Sequence, residues 1–131
     1  SGNQSVEIKF TIADIPADAH IEIDNLQFYI SEIALLDDAG KTVELHLNTR
    51  APWQSADVAL VDLSGALTAD TSGAPTHTNT GNAAVSGSVD AQATPSFTGI
   101  RFDIGIPFEL NHANPLNAVA PLNHMAMYWA W

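Results

Sequence analysis

The chain has 131 residues, a length that suits one domain and allows a hydrophobic core without metal or disulfide support. Four Lys and Arg against fifteen Asp and Glu give a formal net charge of -11, which disfavours nucleic acid and anionic membrane surfaces as partners. The absence of cysteine excludes thiolate metal sites, disulfides and cysteine nucleophiles, so a soft metal would need histidine ligands. No apolar run approaches the ~20 residues of a membrane span.

Strict alternation of apolar and polar residues predicts strands in the first part of the chain. One strand is predicted over 6–12 and another over 20–24, each with its apolar side chains on one face. A third apolar face runs over 26–35, but its pattern slips by one residue at Ser31-Glu32, which indicates a β-bulge.

A hairpin is predicted next. The segment 37–41 is typical of a turn in which Gly40 takes a positive φ. The returning strand over 43–47 has apolar residues on one face, and its polar face carries Glu44 and His46. We therefore expect His46 on the surface of a strand.

The second half predicts fewer strands and more loop. A short strand is predicted over 58–60, and 64–96 is expected to be a low-complexity surface loop with one strand near 84–89. Alternation resumes over 100–106, and the aromatic segment 125–131 predicts a last strand. The fold class is thus all-β, an antiparallel β-sandwich or partly open barrel with long irregular loops, in a single domain over 1–131.

No catalytic motif occurs in the sequence. It lacks a nucleophile elbow, a Gly-rich phosphate loop, a zinc-protease helix and a complete calcium loop. A Ser/His/Asp triad assembled from distant positions stays open, because triads are defined by geometry. We expect that the protein is not an enzyme.

The candidate metal ligands are the five histidines His20, His46, His77, His112 and His124. His112 directly follows a strong strand, and a rigid strand end can hold a loop ligand in position. His20 and His46 lie on polar strand faces, where each could equally be an ordinary solvated histidine and not a metal ligand. His77 lies in the low-complexity loop and is expected to be solvated.

Softer donors lie near the C-terminus. His124, Met125 and Met127 together form a donor set suited to Cu(I). In a strand, however, the side chain of His124 points to the face opposite that of both methionines. Packing in the core explains Met125 and Met127 better than metal binding does. Two neutral imidazoles without a thiolate favour copper or zinc over hard cations. Trp53 is expected to be a core residue.

Four stretches of the sequence are distinctive. One is Pro-Phe-Glu-Leu-Asn-His within 105–115, and the others are 26–31, 53–54 with 58–63, and Met-Tyr-Trp-Ala-Trp at 127–131. Together they resemble the MbnP-like copper-binding proteins, a group that includes the methanotroph surface proteins MopE and CorA. The resemblance follows the same order along most of the chain, and Pro-Phe-Glu-Leu-Asn-His is its most specific part.

This resemblance implies a periplasmic, cell-surface or secreted protein that binds copper through two histidines beside a tryptophan oxidised to kynurenine. We expect the copper to be Cu(I). It also implies a di-haem peroxidase-like partner. His112 matches the Asn-His motif, and we choose His46 as the second ligand. The second tier of candidate ligands is His20, His124, Met125 and Met127. The candidates for the oxidised tryptophan are Trp53, Trp129 and Trp131.

Two departures from the family pattern are present. The cysteines of many members are absent, and Glu44 occupies the position two before His46 where an oxidisable tryptophan would be sought. The relatives also continue beyond the Trp-x-Trp segment, so we expect a chain truncated at its C-terminus. Our hypothesis is a mononuclear copper protein for acquisition or storage. The alternatives are an adhesive or structural β-sandwich subunit without a metal role, and a copper oxidase-like enzyme.

Overall fold

Ten β-strands form the described part of the chain. The computed structural model describes residues 2–79, 81–91, 96–107, 110 and 118–123. No α-helix occurs within these ranges. The strands in chain order are β1 (Gly2–Lys9), β2 (His20–Ile23), β3 (Gln27–Asp37), β4 (Thr42–Glu44), β5 (His46–Leu47), β6 (Val58–Asp62), β7 (Gly65–Ala69), β8 (Pro75–Asn79), β9 (Ala84–Ala91) and β10 (Phe97–Ile104).

The strands form three antiparallel sheets. β3 is the centre of the largest, which has the order β10-β3-β4 and in which β6 also pairs with β3. The first half of β3 pairs with β6 and its second half with β4, so the two shorter strands share one side of it. The other sheets have the orders β1-β9-β5 and β2-β7-β8. They do not close into a barrel, which confirms the antiparallel sandwich.

The predicted bulge lies in the middle of β3. The pairing with β10 jumps from Arg101 opposite Ala34 to Asp103 opposite Ser31, and Glu32 has a φ of 54°. The extra residue rotates the side chains, so that Ile30 and Ser31 are both buried while Glu32 is exposed. The bulge at Ser31-Glu32 is therefore confirmed.

Apolar residues of two facing layers form the core. β3 and β6 contribute Ile30, Ile33 and Val61, and β9 contributes Val85 and Val89 from the opposite layer. The residues that pack around this centre are Val6, Ile8, Phe10, Ile12, Phe28, Val43, Leu47, Ala83, Phe97 and Phe102. The Phe10 ring meets those of Phe28 and Phe102 edge to face, at centroid distances of 6.0 and 5.9 Å.

The structure corrects the surface loop expected over 64–96. β7, β8 and β9 all lie in it, and the strand predicted near 84–89 is confirmed as part of β9. Strands form here although most residues are small and polar, because a few apolar side chains are enough to attach each strand to the core. Leu67 of β7 and Val85 and Val89 of β9 are fully buried. Low apolar content alone therefore does not indicate a loop.

The strand predicted over 43–47 is divided between two sheets. β4 pairs with β3, whereas β5 pairs with β9, and the buried Leu45 between them donates its amide to the Ile33 carbonyl at 2.9 Å. Gly40, with a φ of 81°, forms the predicted turn before β4. The predicted strand over 125–131 lies outside the described residues.

A buried amide joins the turn after β5 to β9. Gln54 is 1% exposed, and its Nε2 donates to the carbonyls of Asn48 and Ser86 at 2.9 and 2.8 Å. Its Oε1 accepts the Ser86 amide at 2.9 Å and the Arg50 guanidinium at 3.3 Å. The Arg50 Nη2 also donates to Asn82 Oδ1 at 2.8 Å. We call Arg50, Gln54 and Asn82 the amide clamp.

Replacing Gln54 with Ala should destabilise the fold by about 3 kcal/mol, because it leaves the Ser86 amide and the Asn48 carbonyl without this partner in a buried site. Urea unfolding followed by circular dichroism measures the change. The matched control is Gln4→Ala on β1, where the side chain is exposed and the expected change lies within about 0.5 kcal/mol. Equal stabilities for the two variants would contradict the role of the clamp.

Candidate metal centre

His46 lies on β5, opposite Ser88 of β9. Its side chain is 53% exposed, and its Nε2 lies 3.7 Å from Oδ2 of Asp90. Alternation places Asp90 on the same face of the sheet as Ser88, and therefore beside the ring. An exposed imidazole next to a carboxylate can accept a metal ion at one nitrogen while the carboxylate orients the ring.

Gly87 allows β5 to approach β9 at this point. It lies opposite Leu47, and a Cβ added to it would lie 2.5 Å from the His46 carbonyl oxygen and 3.0 Å from Leu45 Cδ1. A larger residue would push the backbone of His46 away from β9. The placement of His46 thus depends on a glycine in the neighbouring strand.

A small polar hollow lies next to the His46 strand. Its cavity volume is about 80 Å³, and three carboxylates, those of Glu32, Glu44 and Asp57, line it. The rest of the lining is Ile33, Leu45, Leu47, Ala56 and Pro107. The residues on both sides of His46 therefore share a hollow with Pro107, five positions before His112.

β3 anchors both ends of the segment that contains His112. Before it, the Gly105 amide donates to the Tyr29 carbonyl at 2.7 Å, and Ser31 Oγ donates to the Gly105 carbonyl at 3.1 Å. After it, the Tyr29 hydroxyl donates to the carbonyl of the buried Pro121 at 2.9 Å. Gly105 and Pro121, which lie on either side of the His112 segment in the sequence, thus both bond to β3.

The other histidines of the described chain belong to a different sheet. His20 on β2 is exposed, and its Nε2 lies 2.7 Å from Oε1 of Glu22. His77 on β8 lies opposite Leu67 of β7. Neither lies in the β1-β9-β5 sheet that holds His46.

Several predicted site residues lie outside the described residues, namely His112, His124, Met125, Met127, Trp129 and Trp131. Trp53 is described and is half-buried beside the amide clamp. Its amide donates to the Arg50 carbonyl and its own carbonyl accepts the Leu60 amide, both at 2.8 Å.

Within the described ranges, no three His, Asp or Glu side chains are arranged to hold a metal ion. The carboxylates of the hollow and the His46 ring thus do not form a complete site by themselves. No helix in the described part of the chain has the length and apolarity to span a membrane.

Apart from Glu44, the carboxylates around His46 were not predicted from the sequence. Asp90 lies in the expected loop, and recognising the alternation of Val85 and Val89 would have placed it on the polar face of a strand. Glu32 marks the predicted bulge, but its left-handed backbone could not be expected for a Glu. Asp57 is brought to the hollow by tertiary packing alone.

The MbnP family model matches residues 2–131. The chain belongs to the MbnP family. The matched range includes His46 and every residue that lines the hollow. Among curated proteins, no sequence matches the chain.

A solved member of the family has the same architecture. The structure of MbnP from Methylosinus trichosporium superposes with a TM-score of 0.72 at 25% sequence identity. The alignment covers 100% of this chain and 52% of that one, so the chain spans about half the length of the solved MbnP. The similarity to the solved MbnP therefore extends over the whole of this chain.

Replacing Tyr29 with Phe should destabilise the protein by about 1 kcal/mol at neutral pH, because the Pro121 carbonyl loses its donor. Burial raises the pKa of Tyr29 to about 12. A raised pKa in the folded state means that the wild type loses stability as the pH rises from about 10 to about 12, and Tyr29→Phe lacks this loss. Urea unfolding at several pH values measures both effects. Parallel pH profiles of the two proteins would contradict the burial of the hydroxyl.

Proposed function

We propose that the protein binds copper through histidines and serves in copper acquisition or storage. Membership of the MbnP family over residues 2–131 is the observation that carries the proposal. The composition is compatible with it, because a chain without cysteine must hold a soft metal with imidazole or thioether donors.

His46 is the first proposed ligand. Its ring is exposed enough for a metal ion to reach a nitrogen, and β5 fixes its backbone against β9. The carboxylate of Asp90 can accept a hydrogen bond from the ring nitrogen that does not bind the metal, which selects the tautomer and raises the basicity of the ligand. In this account Asp90 is a positioning residue.

His112 is the second proposed ligand. Pro107 lines the same hollow as Glu44, Leu45 and Leu47, so the segment that leads to His112 starts beside the His46 strand. Five residues of extended chain span at most about 18 Å, which is enough to bring the second imidazole toward His46. Two neutral imidazoles form a low-coordinate site that suits Cu(I).

The surface charge supports uptake of a cation. The net charge of -11 attracts copper ions over a distance set by ionic strength, and the carboxylates of Glu32, Glu44 and Asp57 concentrate negative charge beside His46. Hard carboxylate oxygens bind Cu(I) weakly, so these groups would collect the ion without competing with the imidazoles for it.

We further propose that the protein resembles MopE and CorA in its biology. It would then act in the periplasm, at the cell surface or as a secreted protein, as a binding protein and not an enzyme. A di-haem peroxidase-like partner would oxidise a tryptophan to kynurenine. Trp53, half-buried beside the amide clamp, is the candidate in the described chain, and Trp129 and Trp131 are the others.

Replacing either proposed ligand with Ala should weaken Cu(I) binding by more than about 100-fold, because even outer-shell changes around a metal cost 10- to 100-fold. Anaerobic competition titration with a colorimetric Cu(I) chelator measures the affinities of His46→Ala and His112→Ala. Asp90→Asn should show a smaller loss, of about tenfold, since it removes a positioning group and leaves both ligands.

His20→Ala is the matched control for these variants. His20 is also an exposed strand histidine paired with a carboxylate, but it belongs to another sheet, so its replacement should leave the affinity unchanged. Unfolding curves confirm that each variant is folded. Wild-type affinity in His112→Ala would refute the assignment of that ligand, and equal losses in the His20 and His46 variants would refute the location of the site.

A further inference from the structure

β10 forms an edge of the central sheet. β3 is its neighbour on one side, and no other strand among the described residues adjoins it on the other. The Gly105 amide bonds to Tyr29 of β3, and alternate residues of a strand direct their backbone groups to opposite sides. Asp103 and Arg101 therefore direct their backbone groups toward β3, whereas Ile104, Phe102 and Ile100 direct theirs outward.

The sequence of β10 is complementary to itself in the antiparallel direction. A twofold axis through Phe102 places Arg101 of one copy opposite Asp103 of the other, and Ile100 opposite Ile104. Phe102 then faces its own equivalent in a hydrogen-bonded pair, as its outward backbone groups require. Arg101 and Asp103 form the closer, non-hydrogen-bonded pairs, where opposite charges attract most strongly.

Two apolar side chains of this edge are exposed. Ile104 is 75% exposed and Ile100 is 38% exposed, while Phe102 between them packs on Phe10. Pairing across the proposed axis would cover Ile104 of each copy with Ile100 of the other. Natural proteins often protect an open strand edge with proline or with charged side chains. Residues 97–104 contain no proline, and their two charges, Arg101 and Asp103, have opposite signs and so favour antiparallel self-pairing.

We propose that β10 is a self-association surface, on which a second copy of this chain adds its own β10 to form an antiparallel pair centred on Phe102. The pairing joins the two central sheets into one continuous sheet. This inference is independent of copper binding, because it rests on residues that take no part in the proposed metal site.

The net charge opposes this association and sets the conditions for its test. Two copies with a charge of -11 each repel one another, and at physiological ionic strength the repulsion is screened beyond about 8 Å. The contact between Arg101 and Asp103 acts at shorter range. A small interface of one strand per copy is typical of a weak, concentration-dependent dimer.

Sedimentation equilibrium of the full chain, from micromolar to millimolar concentration, tests the proposal. Arg101→Asp reverses two cross-strand pairs per dimer and should weaken association by at least about tenfold, and Asp103→Arg should do the same. The double variant Arg101→Asp/Asp103→Arg restores both pairs with their charges exchanged. It should therefore recover most of the wild-type association, which a loss of fold or a change in net charge would not explain.

Hydrogen exchange identifies the occupant of the edge. The amides of Ile100, Phe102 and Ile104 should become protected as the protein concentration rises, while the amide of Gly105 is protected throughout. A monomer at all concentrations would overturn the proposal. Protection of all four amides in dilute protein would overturn it too, since another part of the same chain would then cover the edge. A dimer that both single charge reversals leave unchanged would place the interface elsewhere.

Discussion

The arrangement of the two layers depends on the buried amide of Gln54. The segment between β5 and β6 runs from the sheet of β9 to the sheet of β3, and Gln54 is its one buried residue. The side-chain amide of Gln54 donates to the Ser86 carbonyl and accepts from the Ser86 amide, so it pairs with β9 as a neighbouring strand would. Arg50 and Asn82 extend this pairing, and Asn82 Nδ2 donates to the Leu60 carbonyl of β6 at 2.9 Å. Polar groups thus determine where the layers join, although apolar burial drives their association.

The position of the proposed metal centre depends on these contacts of the amide clamp. The amide clamp holds β9 at Ser86, and the same edge of β9 pairs with His46 two residues further on, at Ser88, so a shift of β9 would move the ring and Asp90 together. β3 supplies the second constraint, because its bonds to Gly105 and Pro121 hold both ends of the His112 segment. The copper site that we propose would lie where these two constraints meet.

Sequence patterns predicted the strands with strong alternation, and with them the all-β class, the bulge and the turn at Gly40. They missed β7 and β8 within 64–96, because Leu67 is the one fully buried residue of β7 and small residues occupy its other positions. For the site, the exposed strand histidine His46 was predicted from its alternation. The approach of Asp90, Glu32 and Asp57 was not, since these contacts arise from pairing between strands distant in sequence. The contribution of His112 stays a prediction.

Copper binding by the intact chain is the central claim, and native mass spectrometry after anaerobic loading with Cu(I) and removal of excess metal tests it most directly. The account predicts one copper ion per wild-type chain and none in the double variant His46→Ala/His112→Ala. A wild-type chain that retains no copper, or a double variant that retains as much as the wild type, would contradict it.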